Sequence, residues 1–234
     1  MSLLELSHVE VHAPHRAHLR PILRDVSLQV EAGELVAILG ARRSGRSTLL
    51  RVACGIERPT AGQVRFAGRP IGACGQALGS GIGYCPPLRG PEARLVLGEL
   101  MAGQLGRGVP QDAARAAALS ALERTDALQC APRDVQELDA AESVRVTIAR
   151  ALTLAPTMLV IDEPVSGVEL LQRDRILALL RSLADEGLAV LMSAGEATAL
   201  AGADRALTLA DGELHGSTSP PLAPVVPLRR AASA

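Results

Sequence analysis

A short apolar run leads directly into a loop bounded by two glycines, and this junction constrains the fold more than any other stretch of the chain. The run is Leu35–Leu39, and the loop begins at Gly40 and closes at Gly45, just before Arg46 and Ser47. The spacing meets the phosphate-loop pattern G-x-x-x-x-G-K-[ST] except that Arg46 stands where lysine is expected. A strand that turns into a helix through such a loop predicts a phosphate site; a glycine-rich turn without a ligand is the alternative.

Backbone geometry explains why this pattern suits phosphate. Glycine at positions 40 and 45 lets the loop curl until successive N–H groups point inward. A helix that begins near Arg46 offers its unpaired N–H groups to an anion. Ser47 would place its hydroxyl on Mg²⁺, and Arg46 would bring a cation near the terminal phosphates.

The composition fits a globular chain without a strong electrostatic bias. Its 234 residues are 48% apolar, which allows one large domain or one domain with an inserted subdomain. The net charge of -1 gives no reason to expect nucleic acid as the main partner. No apolar run approaches the ~20 residues that span a bilayer, and residues 1–5 show no leader. We therefore expect a cytosolic chain, unless another protein ties it to a membrane.

Residue usage bears on the cysteines and on Arg46. Cys54, Cys74, Cys85 and Cys130 are widely spaced, so we expect reduced thiols rather than a metal site or disulfides. The chain contains no Lys and no Asn, a bias that GC-rich coding would produce. Arginine at position 46 therefore does not by itself indicate a new role.

Periodicity predicts strands that alternate with helices. Loose alternation of apolar residues between positions 4 and 28 indicates short strands joined by turns. Ala-rich composition, or apolar residues at every fourth position, indicates helices. Alternating strands and helices imply a mostly parallel sheet with ligands at the carboxyl ends of its strands. Helices are expected within 95–128 and around 144–152 and 176–183, and buried strands at 157–162 and 188–192.

A second motif closes the predicted strand at 157–162. Asp162 and Glu163 follow the apolar run and precede Pro164. Strand alternation would put the two carboxylates on opposite sides, one toward a Mg²⁺ water and the other toward an attacking water. A strand that ends in an ordinary polar turn is the alternative. The phosphate loop earlier in the chain favours the catalytic interpretation over it.

These motifs together resemble the nucleotide-binding subunit of an ABC transporter over nearly the whole chain. The resemblance implies a P-loop NTPase fold of ABC type, α/β, with a mostly parallel sheet core, an antiparallel β region and an inserted helical subdomain. It also implies ATP and Mg²⁺ as cofactors, with ATP held between the Walker A loop of one subunit and the signature segment of another. The matching segments are Gly40–Thr48 (Walker A), Ile82–Pro87 (Q-loop), Leu138–Leu152 (signature and following helix), Leu159–Glu163 (Walker B), Ser166–Glu169 (D-loop) and Val190–Glu196 (H-loop).

The resemblance assigns roles to particular residues. Glu163 corresponds to the catalytic glutamate, and Ser47 and Asp162 to the residues that hold the metal. The predicted nucleotide-binding residues are Gly40, Arg43, Ser44, Gly45, Arg46, Ser47 and Thr48.

Several positions depart from the family pattern. Arg46 replaces the lysine, Arg43 a glycine, Pro87 the Q-loop glutamine, Glu169 the D-loop aspartate and Gly195 the H-loop histidine. Arginine keeps the charge of lysine, but its planar guanidinium cannot copy the contact of a compact ammonium. For Arg43, a solvated loop arginine and an inhibitory role are equally compatible with the sequence. Near the adenine-stacking position the chain offers Ala13, flanked by His12 and Pro14.

The signature-like segment Asp139-Ala140-Ala141-Glu142 allows two interpretations. In the family this segment donates hydrogen bonds to the partner's γ-phosphate, where the Asp139 carboxylate would meet like charge. Two such charges ~4 Å apart repel by about 4 kcal/mol at an effective dielectric of about 20. Alternatively, Asp139 caps an ordinary helix and Glu142 completes a capping box.

The resemblance thus implies an ABC-type domain over residues 1–216, with a helical subdomain at about 88–152. The Pro-rich composition of residues 217–234 predicts a disordered tail. We expect an ATP-binding subunit that energises or regulates transport through a membrane permease, with weak or absent hydrolysis. A fully active transport ATPase and a scaffold that binds no nucleotide are the alternatives. The expected partners are the permease, which would hold the chain at the inner face of the membrane, and a second ATP-binding subunit, a heterodimer being favoured over a homodimer. Residues 107–110 also resemble lipoprotein-release and macrolide-export subunits.

Overall fold

The computed structural model describes residues 2–13, 21–71, 81–86 and 94–218. Expectations for Pro14, Cys74 and Pro87, and for the tail from residue 219 onward, lie outside these residues; Ser217 and Thr218, which were expected in the tail, belong to the last strand. The strands are β1 (Ser2–Val11), β2 (Leu23–Glu31), β3 (Leu35–Leu39), β4 (Ala61–Phe66), β5 (Arg69–Pro70), β6 (Ile82–Cys85), β7 (Met158–Ile161), β8 (Ala189–Ala194), β9 (Arg205–Ala210) and β10 (Glu213–Thr218). The α-helices are α1 (Arg46–Ala53), α2 (Val96–Leu105), α3 (Gln111–Arg124), α4 (Ala140–Leu152) and α5 (Leu170–Asp185).

The strands form two sheets. One has the order β10-β9-β3-β8-β7-β6, and its strands are parallel except for β10, which pairs with β9 in the antiparallel sense. The other is antiparallel, with the order β2-β1-β4-β5. The expected fold, a mostly parallel sheet with an antiparallel β region, is confirmed.

The parallel sheet is buried on both faces. Successive residues of β3 alternate between two apolar clusters: Leu35 and Ala37 face the helical side, and Val36 and Ile38 face the antiparallel sheet. Because no strand face in the centre meets water, the sequence there is continuously apolar rather than alternating.

The inserted helices α2, α3 and α4 follow β6 in the chain and precede β7. Small residues on α3, among them Ala114 and Ala118, are completely buried, which allows the helices to pack closely. An ion pair between Glu99 on α2 and Arg150 on α4, 3.0 Å long, joins two of the helices.

One local expectation is wrong. The predicted short strands between residues 4 and 28 are in fact two long strands, of ten and nine residues, paired to each other. Register shifts within the pair, near His8 and Asp25, which both have positive φ, disturb the alternation that would have revealed long strands.

The cysteines within the described residues, Cys54, Cys85 and Cys130, are free thiols and are buried. Burial raises the pKa of Cys85 to about 12, so this thiol stays protonated at neutral pH. Within the described ranges, no helix combines the length and the apolar character needed to cross a bilayer.

Candidate nucleotide site

The site lies at one edge of the parallel sheet. β8 lies between β3 and β7, and all three run in the same direction, so their carboxyl ends meet. β3 leads into the Gly40 loop, β8 into Gly195, and β7 into Asp162-Glu163. Sheet topology thus brings together residues that are up to 155 positions apart in the chain (195 − 40).

The loop between β3 and α1 has the curvature that the pattern predicts. Gly45, at φ 102°, precedes α1 as its N-cap and makes no side-chain cap hydrogen bond. A Cβ on Gly40 would lie 2.6 Å from both Leu209 O and Ser44 Oγ, so only glycine fits there. The first-turn N–H groups of α1 have no acceptor within the helix and face the loop.

Arg43 shows why the family pattern has glycine at this loop position. Its φ is 66°, in the left-handed region, where a side chain is strained. Its side chain is exposed. The loop therefore keeps its curvature at the cost of strain at Arg43.

Arg46 does not extend into solvent at the loop. Its side chain is only 6% exposed, and Nη2 donates to Glu163 Oε1 at 2.6 Å. Charge-assisted hydrogen bonds are shorter than neutral ones, and this contact is a short example of them. The structure therefore pairs the loop cation with the residue that corresponds to the catalytic glutamate.

Asp162 and Glu163 face different partners, although strand alternation is not the reason. β7 ends at Ile161, and Glu163 has φ 48°, so a left-handed turn separates the two carboxylates. Ser193, in β8, donates to Asp162 Oδ1 and accepts from the backbone N–H of Glu163 at 2.9 Å. A single buried hydroxyl thus fixes both acidic residues.

Ser193 is a site residue that the sequence interpretation missed. It is 1% exposed and stands in the apolar run of β8, where a lone hydroxyl is a detectable but weak signal. The charge of its partner Asp162 also affects Tyr84 in the neighbouring strand β6. Burial, and after it the Asp162 charge, raise the pKa of Tyr84, so that this phenol stays neutral.

Two cavities flank the Arg46–Glu163 pair. One, about 600 Å³, is lined by Ile22, residues 42–48 and Glu163. The other, about 260 Å³, lies toward Ser166, Arg173 and Gly195. Both are lined by Arg42, which the sequence interpretation did not single out.

The loop cavity suits a nucleotide phosphate chain. The glycine-bounded loop, the uncapped start of α1 and the exposed arginines 42 and 43 form an electropositive concavity. Ser44 Oγ is buried and has no hydrogen-bond partner within the described residues. Ser47, exposed at the cavity, and Asp162 supply the oxygen donors that Mg²⁺ prefers.

The signature-like residues do not line this cavity. Asp139 is the N-cap of α4: its Oδ1 accepts from the Glu142 N–H at 2.8 Å, while Glu142 accepts from the Asp139 N–H at 3.0 Å. Of the two sequence interpretations, the capping box is therefore the one present in the structure. Ala140 and Ala141 occupy the first turn of the helix.

Of the remaining sequence-identified positions, Gly195 lines the smaller cavity, whereas Glu169, His12 and Ala13 line neither of the two. Glu169 is the N-cap of α5 without a side-chain cap bond, and Gly195 is exposed directly after β8. His12 and Ala13 follow β1 and are half-buried, and His12 Nδ1 has no partner within the described part of the chain.

A strand–loop–helix phosphate site beside a carboxylate-bearing strand defines the class of P-loop nucleotide-binding folds. The sequence model of the family described as ABC transporter matches residues 23–166. The chain belongs to the ABC transporter family and corresponds to its ATP-binding part.

Three relatives illustrate the match. The chain is 33% identical over 201 residues to the lipoprotein-releasing system ATP-binding protein LolD of Paramagnetospirillum magneticum, covering 82% of this chain and 88% of that protein. It is 29% identical over 224 residues to the macrolide export ATP-binding/permease protein MacB of Salmonella typhimurium, covering 91% of this chain but 34% of that protein. It likewise spans 43% of a ribose import ATP-binding protein, RbsA, from Jannaschia, so several relatives are much longer than the matched region.

Among solved structures, the dimeric post-hydrolysis ATP-binding cassette MJ0796, bound to ADP and Pi, superimposes with a TM-score of 0.81. The alignment covers 92% of this chain and 98% of that one at 22% identity, which establishes the fold.

Proposed function

We propose that this chain is the ATP-binding subunit of an ABC transporter that binds Mg·ATP in the loop cavity and hydrolyses it weakly or not at all. It energises or regulates transport through a membrane permease. The observation that carries the proposal is the 2.6 Å contact between Arg46 and Glu163, which engages the would-be catalytic carboxylate.

ATP binding is supported by the loop itself. The N–H groups at the start of α1 and the positive end of its dipole favour phosphate, and Arg42 and Arg43 add charge at the mouth of the cavity. Ser47 and Asp162 are the residues that would hold Mg²⁺, which would neutralise phosphate charge. Ser193 keeps Asp162 oriented for this task.

Weak hydrolysis follows from the state of Glu163. A general base must be free to take a proton from water, and its efficiency depends on geometry before pKa. Here Glu163 Oε1 accepts a hydrogen bond from the buried guanidinium of Arg46, so this oxygen is not free to accept a proton from water. Either Arg46 leaves Glu163 when phosphate binds, or the base stays occupied.

The second half of a composite site is also altered. Family members bind ATP between the loop of one subunit and the signature of the other, but the Asp139 carboxylate closes the α4 terminus with its own capping bond. This chain would therefore offer a partner a poor signature, and a second, more competent ATP-binding subunit is favoured over a second copy. The name of MacB joins an ATP-binding and a permease function in one protein, which supports a permease partner for this chain. Such a partner would hold the chain at the inner face of the membrane.

Calorimetry with Mg·ATP, together with a phosphate-release assay, tests the proposal. We expect saturable, Mg²⁺-dependent binding and turnover near background. Turnover that Glu163→Gln abolishes, with Glu123→Gln on the exposed face of α3 as the control, would establish the active ATPase instead. Absence of binding would refute nucleotide binding by this chain and leave the scaffold as the second candidate.

A further inference from the structure

Two departures that the sequence presents as separate losses meet in space. A Cβ built on Gly195 would lie 3.7 Å from Arg46 Nη1, 3.9 Å from Arg46 Nη2 and 3.9 Å from Glu163 Oε1. Apart from Gly195 itself and its two chain neighbours, these are the three atoms nearest to that position. The face of Gly195 where a side chain would begin is therefore directed at the ion pair.

The burial of Arg46 needs both neighbours. The Arg46 side chain is only 6% exposed, so its guanidinium requires a counter-charge and room for its planar group. Glu163 supplies the charge, and Gly195 leaves the room beside Nη1 and Nη2. Nη1 has no hydrogen-bond partner within the described residues. Gly195 therefore accommodates the guanidinium sterically and does not form a hydrogen bond with Nη1.

We propose that Gly195 is a positioning residue that seats the Arg46 guanidinium on Glu163, so that positions 46 and 195 form a matched pair. Arginine at position 46 fits because no side chain extends from position 195 toward it, and a residue larger than alanine there would compete with the guanidinium for the same space. In the nucleotide-free chain the pair holds Glu163. A terminal phosphate would compete with that carboxylate for Arg46, a consequence that rests on the proposed function.

Lysine and histidine at these positions would form a different matched pair. A lysine ammonium is a compact point charge on a flexible stem and cannot fill the planar space beside Gly195. An imidazole at position 195 would collide with the guanidinium of Arg46. With lysine at position 46, the same imidazole would fill the space that the guanidinium no longer occupies. Arg46→Lys alone and Gly195→His alone should therefore each weaken the packing, and the double variant should recover part of the lost stability.

A double-mutant cycle on the nucleotide-free chain tests the pairing, with the thermal unfolding midpoint as the measurement. We expect Arg46→Lys and Gly195→His each to lower the midpoint. The double variant should unfold at a clearly higher temperature than the sum of the two shifts predicts. Gly195→Ala should change the midpoint by no more than about 1 °C, because its Cβ makes ordinary contacts with the pair. Additive shifts would overturn the proposal.

Gly98 provides the matched control. It lies in α2 with nothing within 4 Å of its Cβ position, so Gly98→His combined with Arg46→Lys should give additive shifts. Equal non-additivity at positions 98 and 195 would show a general loss of stability rather than a specific pair, and would overturn the inference.

Calorimetry with Mg·ADP and Mg·ATP provides a readout that a purely structural role would not move. Because only ATP carries the terminal phosphate that competes for Arg46, the double variant should gain about tenfold in affinity for ATP relative to ADP over the product of the single effects. Single effects that multiply within about twofold would contradict the competition with Glu163. A chain that binds neither nucleotide would refute the proposed function, whereas the unfolding midpoints would still decide whether the two positions are paired.

Discussion

Strain at Arg43 is a residue-scale property that can be separated from its charge. Its φ of 66° belongs to the left-handed region, whereas its neighbour Arg42, in the same exposed loop, has no positive φ. A side chain in that region costs about 1–2 kcal/mol, which glycine avoids, although glycine has more freedom to lose on folding.

We therefore expect Arg43→Gly to stabilise the chain by about 0.5–1 kcal/mol, measured as the free energy of unfolding in urea. Arg42→Gly removes the same side chain where glycine relieves nothing, so it should destabilise by about 0.5–1 kcal/mol. Equal effects of the two substitutions would show that loss of charge, and not relief of strain, determines the result.

At the scale of elements, two side chains fix the ends of a helix and of a strand. Asp139 closes the start of α4 by the capping box with Glu142. Asp204, just before β9, accepts from the backbone N–H of Leu35 at the start of β3 at 2.8 Å and from Arg181 on α5 at 2.7 Å. Both carboxylates satisfy N–H groups that would otherwise lack a partner.

Asp139→Ala should lower the free energy of unfolding by about 1 kcal/mol, because the Glu142 N–H loses its acceptor. Asp139→Ser keeps an N-cap oxygen without the charge and should remain within about 0.5 kcal/mol of the wild type. Urea unfolding measures both. If serine were as harmful as alanine, the carboxylate would have a role beyond capping.

Asp204 predicts a pH dependence. Burial alone would raise its pKa, but the Leu35 N–H bond and the Arg181 guanidinium lower it below the ordinary value. A carboxyl whose folded pKa is depressed adds stability above its unfolded pKa, and this stability is lost as the pH falls through the folded pKa.

Asp204→Asn should therefore lower the free energy of unfolding at pH 7 by about 0.5 kcal/mol, a value reduced for the exposure of the pair. The difference between variant and wild type should shrink as the pH falls through the acid range. Urea unfolding at a series of pH values measures it, and a pH-independent difference would assign the effect to packing.

The whole molecule is organised by the parallel sheet that separates two apolar clusters. Ile38, in β3, is completely buried in the cluster beneath the antiparallel sheet. Leu171, in the first turn of α5, is 79% exposed. Two large apolar residues of one chain thus differ almost completely in environment.

Ile38→Ala should cost about 2–5 kcal/mol, because it removes apolar contacts and leaves a cavity in a sheet that cannot collapse around it. Leu171→Ala should stay within about 0.5 kcal/mol. Thermal or urea unfolding of the isolated chain measures both. A large loss at Leu171 would mean that its surface is covered in solution.

Local patterns determined the elements and the family. The strand–loop–helix junction at Gly40, the strand that ends before Asp162, and the helix that begins at Asp139 all depend on hydrogen bonds and apolar periodicity within a few residues, which sequence records directly. They predicted the confirmed fold. The long pairing of β1 with β2 was missed because register shifts interrupt the alternation.

Contacts between distant segments were decided only by the tertiary structure. Arg46 and Glu163 are 117 residues apart, and nothing local to either indicates that the loop cation turns toward β7 and buries itself beside Gly195. The tie of Ser193 to Asp162 is equally remote, at 31 residues. Such pairs depend on which strands become neighbours and on the space between them. The sequence therefore located the phosphate loop, and packing decided what its arginine touches.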